Sequence, residues 1–253
     1  MLNIFIPTPK TLFNLLLTAI VILSLAALTS LSGCAATEKA QEEQPSADIL
    51  SDRAMEAYNH GKYATARDLF QKIQNRFPFS KYSLKAKIRE ADCHYHEGHY
   101  NQAISVYQKF TQDHPSHKAM PYALFQIGRS YAQRIDTVDR DPTAAEKAED
   151  AFKNLISRYP DSPYTAEAQK QIKQARNFLA RHEMYVAGYY LKTGKHKQAE
   201  SRLEYLVNQY PDSKQAEKAE KFLAAIEAGN PPQSSWLNWI PLFGMLAPSS
   251  PAI

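Results

Sequence analysis

Gly61-Lys62-Tyr63-Ala64-Thr65-Ala66-Arg67-Asp68-Leu69-Phe70-Gln71-Lys72-Ile73-Gln74-Asn75-Arg76-Phe77-Pro78 decides the fold, because the chain repeats it. Gly98-His99-Tyr100-Asn101-Gln102-Ala103 opens a second copy, and Gly194-Lys195-His196-Lys197-Gln198-Ala199 opens another. The step from glycine to proline is 17 residues each time: Gly61 to Pro78, Gly98 to Pro115, Gly194 to Pro211. Four blocks close alike, on Arg76-Phe77-Pro78, Asp113-His114-Pro115, Arg158-Tyr159-Pro160 and Gln209-Tyr210-Pro211. Successive prolines lie 37, 45 and 51 residues apart, so the later units carry insertions.

Each unit reads as two antiparallel helices. Gly61, Gly98 and Gly194 end the first helix, where a left-handed residue is wanted. The second helix carries apolar residues in steps of three and four: Ala66, Leu69, Phe70, Ile73 and Phe77 in the first unit. Ala103, Val106, Tyr107 and Phe110 follow in the second, and Ala148, Ala151, Phe152, Leu155 and Tyr159 in the third. That spacing makes one buried stripe per helix. The closing proline lacks a donor and stops the helix. Ser80, Ser162 and Ser213, each two residues past a proline, are placed to cap the next helix, with Pro163 suited to its first turn. The third unit inserts Ile135-Asp136-Thr137-Val138-Asp139-Arg140-Asp141-Pro142 between its helices. The fourth opens on a run from Pro163 to Lys192 broken only by Gly188, which predicts one long helix or a helix kinked late. Lys214 to Ala228 reads as a single capping helix.

Ahead of the repeats, Thr11 to Leu31 is uncharged and apolar and runs into Leu31-Ser32-Gly33-Cys34. Small residues before a cysteine resemble the lipobox of bacterial lipoprotein precursors, which implies a signal peptide over 1–33 and diacylglyceryl attachment at Cys34. An uncleaved membrane anchor is the alternative, since the run is long enough to span a bilayer. Ala35-Ala36 follow where an aspartate would retain a lipoprotein in the inner membrane of many Gram-negative bacteria, so the outer membrane, facing the periplasm, is expected. Residues 34–47 form a polar tether. The repeats occupy 48–228. The segment 229–253 is a Trp- and Pro-rich apolar tail, too short and too interrupted by Pro241 to span. It is expected to be disordered, or to dock on the repeats, a partner or the membrane interface.

The 253 residues carry a formal charge of only +4, and no basic cluster points to nucleic acid. An aromatic share of 11% can furnish a core, which separates the chain from disordered sequences. There are 2 Cys, so no disulfide framework exists, and with Cys34 lipidated Cys93 reads as a buried lone thiol. His94-Tyr95-His96-Glu97-Gly98-His99 suggests a metal, but His94 and His96 face different ways on a helix, so no metal and no cofactor are expected. No phosphate loop or nucleophile motif is present, and the acidic residues read as solvated helix faces.

The repeat, with Gly128 and Tyr131 in the third unit and the Gly, aromatic, Ala and Pro positions elsewhere, resembles the tetratricopeptide repeat. The resemblance implies an all-α fold, a right-handed superhelix of helical hairpins. Several segments further resemble the BamD (ComL-like) family of outer-membrane assembly lipoproteins. They are Arg76-Phe77-Pro78-Phe79-Ser80-Lys81-Tyr82-Ser83; Phe110 with His114-Pro115-Ser116-His117; Asp139-Arg140-Asp141-Pro142; Tyr159-Pro160-Asp161-Ser162-Pro163-Tyr164; and Ala180, Tyr185, Ala187, Tyr189 and Tyr190 on one helix. The resemblance covers roughly 48–228, and the chain departs from longer members in lacking their last helix.

This resemblance implies a non-enzymatic scaffold of the β-barrel assembly (BAM) complex. Its implied partners are a BamA-like outer-membrane barrel with periplasmic domains, other BAM lipoproteins, unfolded outer-membrane proteins, and the membrane through the lipid anchor. Tyr58, Tyr95 and Tyr131, at related places on first helices, are candidates to line a peptide groove or to be plain core. Arg202 holds the stripe position of Leu69, Val106 and Ala151 and matches an arginine of the family's BamA-facing repeat. It is the leading partner-binding candidate, with a local salt bridge to Glu204 or another acid as the alternative. Asp139, Arg140 and Asp141 are further partner-binding candidates. The competing functions are a repeat-containing lipoprotein adaptor of cell-envelope or division machinery, and an enzyme such as a superhelical cell-wall lyase, for which no catalytic domain is present.

Overall fold

The Gly and Pro punctuation cuts the chain where expected. The computed structural model describes residues 44–231, and these form nine helices. They are α1 (Ala47–Asn59), α2 (Tyr63–Arg76), α3 (Ser83–His96), α4 (Tyr100–Asp113), α5 (Met120–Ala132), α6 (Thr143–Arg158), α7 (Thr165–Lys192), α8 (His196–Gln209) and α9 (Lys214–Glu227). The leader, Cys34, the tether up to residue 43 and the tail from residue 232 lie outside the described residues. Among the described helices none is long and apolar enough to cross a membrane.

Each helix packs on the next, and α7 also meets α5 and α9, so the array is a series of hairpins. Gly61, Gly98 and Gly194 take φ of 71°, 75° and 69°, which lets the chain reverse after α1, α3 and α7. The predicted stripes are the core: Ala66, Phe70 and Ile73; Ala103, Tyr107 and Phe110; Ala148, Phe152 and Leu155 are all essentially inaccessible. Leu69, Val106 and Ala151, by contrast, are only partly buried and flank the stripe.

Helix starts depart from expectation. Ser213 caps α9, accepting from Ala216 N–H at 3.2 Å. Ser162 accepts from Tyr164 N–H at 3.2 Å within a turn, and α7 begins only at Thr165, so Pro163 precedes the helix rather than opening it. Ser80 Oγ is buried with no hydrogen-bond partner, and its carbonyl accepts from Ser83 N–H in a turn before α3. The sequence Pro-x-Ser fixes a turn in these two units, and the turn displaces the cap.

The long run of the fourth unit forms one continuous helix, α7, of 28 residues. Its middle buries Phe178, Leu179 and Ala180 against Tyr210 and against Ile135 and Val138 of the inserted loop. The insertion is therefore packed: His182 Nδ1 lies 2.7 Å from the Val138 carbonyl.

Candidate functional site

The α7–α8 hairpin carries the surface around Arg202. Gln198, Arg202 and Tyr205 follow one another at four and three residues along one face of α8. Tyr190 crosses from α7, and with Lys197, Gln198, Ser201 and Arg202 it lines an open cleft of about 340 Å³. Tyr189 and Tyr205 are large side chains left exposed, at 57% and 44%. The Arg202 side chain is 47% exposed, and its Nη1 lies 3.2 Å from Glu183 Oε2. Glu183 is buried among apolar neighbours on α7. The arginine is thus tied to α7 through Glu183, not Glu204, with about half of its side-chain surface exposed. Because its sister positions are themselves only partly buried, an arginine there costs the core nothing.

Asp139, Arg140 and Asp141 sit in the packed insertion and serve it locally. Asp141 Oδ1 accepts from Thr143 N–H at 2.9 Å and from its hydroxyl at 2.5 Å, which starts α6 and holds the carboxyl below its ordinary range. A hydrogen bond from the Thr137 side chain does the same for Asp139. Arg140 reaches Asp136 at 3.0 Å, and both remain exposed.

Tyr58, Tyr95 and Tyr131 occupy equivalent last turns of α1, α3 and α5. The rings of Tyr58 and Tyr95 join neighbouring units, whereas Tyr131 meets Lys147 within its own. Tyr58 and Tyr95 both meet the His96 ring edge-on, at 5.7 Å. Arg89 lies over Tyr58, Arg129 over Tyr95 and Lys147 over Tyr131, at 5.4, 4.8 and 5.8 Å from the ring centroids. Tyr95 is buried, while Tyr58 and Tyr131 are half-buried.

Sequence reasoning missed the polar core behind this row. Asp92, on α3, is 1% exposed. It accepts hydrogen bonds from the hydroxyls of Tyr107 and Tyr122, the latter at 2.7 Å, and from Arg89 at 2.7 Å. Gln126 donates onward to the Tyr122 hydroxyl at 2.8 Å. Burial, then the Asp92 charge, raises the pKa of Tyr58 to about 12 and drives those of Tyr107 and Tyr122 up as well. A second junction joins the third and fourth units: buried Glu149 pairs with Lys153 at 2.6 Å and with Arg176 at 2.9 Å. Arg176 also donates to the Gln209 carbonyl.

Stacked helical hairpins with polar junctions between units define an all-α helical-repeat protein, and its α7–α8 hairpin presents an exposed Arg–Tyr surface. The family model for YfiO, an outer membrane lipoprotein, matches residues 43–229. The chain belongs to this family. The outer membrane protein assembly factor BamD of Xylella fastidiosa (strain 9a5c) is 30% identical over 201 residues, 75% of this chain and 68% of that one. BamD of Neisseria gonorrhoeae is 29% identical, covering 79% of this chain and 80% of its own. BamD of Vibrio cholerae is 28% identical, covering 77% and 85%. A crystal structure of TPR-like repeats from Podosopora anserina aligns with a TM-score of 0.42 at 13% identity, over 71% of this chain and 93% of that one. The family is one of non-enzymatic assembly factors of the outer membrane.

Proposed function

We propose that this chain is an assembly factor of the β-barrel assembly complex, anchored by lipid on Cys34 in the outer membrane and facing the periplasm. Residues 1–33 are removed as a signal peptide, and 34–47 tether the repeats of 48–228. The α7–α8 face docks on the periplasmic domains of a BamA-like barrel, with Arg202 at its centre, while the insertion bearing Asp139, Arg140 and Asp141 lies on the rim. Other BAM lipoproteins and unfolded outer-membrane proteins are the further partners, the latter received along the row of Tyr58, Tyr95 and Tyr131. Family membership supports this reading, and the observation that carries the docking site is the exposed Arg202, flanked by exposed Tyr189 and Tyr205. Arg and Tyr are the residue types that dominate binding energy at interfaces. Glu183 holds the guanidinium in place before the partner arrives, which lowers the ordering cost of binding.

The test is binding of the full chain to a BamA periplasmic fragment. Arg202→Ala is expected to weaken it by about 2–5 kcal/mol, with an unchanged helical circular dichroism spectrum. Lys109→Glu, on the exposed face of α4, is expected to leave it intact. Equal affinity for wild type and Arg202→Ala would remove Arg202 from the interface. Absence of any complex with the wild-type chain would overturn the assignment to the assembly machine.

A further inference from the structure

Gly98 N–H donates to the Tyr95 carbonyl at 3.0 Å, and His99 N–H to the His94 carbonyl at 2.9 Å. With Gly98 at φ 75° this is a Schellman turn, which folds the third residue past a helix back over the third from its end. The same turn elsewhere in the chain joins Ala57 with Lys62, Tyr190 with Lys195 and Ala225 with Asn230. At the end of α3 it joins two histidines, whose ring centroids are 6.2 Å apart. Glu97 completes the group: donor atoms of His94, Glu97 and His99 all lie within 4.8 Å of one another. His94 Nδ1 is buried and has no hydrogen-bond partner. A buried nitrogen left unpaired is costly, and a cation satisfies it.

We propose that His94, Glu97 and His99 bind a divalent transition-metal cation of the zinc type, with water in the fourth position. Two imidazoles and one carboxylate form a nitrogen–oxygen set suited to zinc rather than to magnesium or calcium. On sequence alone no metal is expected, because His94 and His96 face different ways; the fold brings His94 next to His99. His96 instead stacks on Tyr63 at 4.6 Å, and Cys93 is packed in the core of the first units. Ligand atoms around tetrahedral zinc stand roughly 3.4 Å apart. The widest separation, 4.8 Å, must therefore contract by up to about 1.4 Å, and the His99 side chain, 54% exposed, is free to supply that movement.

Arg67 of α2 is paired with Glu97, and its charge works against the cation. Glu97 stands between the two, its Oε2 paired with Arg67 and 3.7 Å from His99 Nδ1, and Glu90 adds negative charge to the surroundings of His94. Occupancy would join the last turn of α3 to the start of α4 and, through Glu97 and Arg67, to α2.

The experiment uses the full chain in detergent, stripped with a chelator, then titrated with Zn²⁺ by calorimetry and with Co²⁺ by visible absorption. One Zn²⁺ per chain and a four-coordinate Co²⁺ ligand-field band are expected. His99→Ala and Glu97→Gln, both at a turn outside the core, are each expected to weaken Zn²⁺ binding at least about tenfold and to abolish the Co²⁺ band. His60→Ala, at the equivalent turn of the first unit, is expected to change neither. No stoichiometric Zn²⁺ binding by the wild type overturns the proposal. So does binding that survives His94→Ala with His99→Ala, or that is lost in His60→Ala.

Discussion

Gly128 meets the Phe152 ring so closely that a Cβ placed on Gly128 would stand 2.6 Å from Phe152 Cε1. The glycine lies inside α5, where it costs helix stability, and it is there because the buried ring of α6 needs the space. Gly128→Ala is therefore expected to destabilise the chain by about 1–3 kcal/mol through overpacking. Phe152→Ala is expected to cost about 3–5 kcal/mol through the cavity it leaves. Phe152→Leu in the Gly128→Ala background should recover part of the loss. Urea denaturation followed by circular dichroism measures all three, and additive costs in the double variant would mean that the two sites do not press on each other.

Asp92 holds three donors in a site that excludes water, so removing its carboxylate strands a guanidinium and two hydroxyls. Asp92→Ala is expected to cost about 3–5 kcal/mol. Tyr107→Phe and Tyr122→Phe each remove one bond to a charged acceptor, at about 1.5–3 kcal/mol. The same denaturation series checks them. A loss below about 1 kcal/mol for Asp92→Ala would mean that water replaces the network.

The hairpins were legible because their signals are local. Gly61 and Gly98 have to reverse the chain, Pro78 and Pro115 cannot continue a helix, and Phe70, Tyr107 and Phe152 fall on one helical face. Asp92 was not legible, because a carboxylate inside a helix reads as solvated until Tyr107 and Tyr122 arrive from two other helices. Arg202 was half legible. Its departure from the other units marked it, but its partner Glu183 lies 19 residues away on another helix, and its sister positions proved to be flank rather than core. Ser80 failed as a cap because helix initiation there waits for the Phe77–Ser83 turn to close.

The inserted loop meets α7 through His182, at the Val138 carbonyl, and through the apolar side chains of Ile135 and Val138. His182→Ala is expected to raise amide hydrogen exchange across 137–141 while leaving α6 protected, since the bonds from Thr143 to Asp141 at its start remain. Faster exchange across the whole of α6 would show that the loop and helix open as one unit.

Alkali tests the buried tyrosines and Cys93 together. Burial raises the Cys93 thiol to about 12, as it does Tyr58, and it lifts Tyr95, Tyr107, Tyr122 and Tyr210 in the same direction. For each group the folded chain holds its proton more tightly than the unfolded chain does. The stability this gives is complete below the unfolded values, near pH 9 for the thiol and 10 for the phenols. It falls as pH rises towards the folded values, because the unfolded chain then binds fewer protons. The urea midpoint is therefore expected to be level up to about pH 9 and to decline between about pH 9 and 12. Over the level range Cys93 should stay unreactive to a thiol reagent in the native chain and become reactive on unfolding. A midpoint that holds steady to pH 12, or a native thiol labelled at the rate of free cysteine, would mean that the Asp92 neighbourhood is open to water.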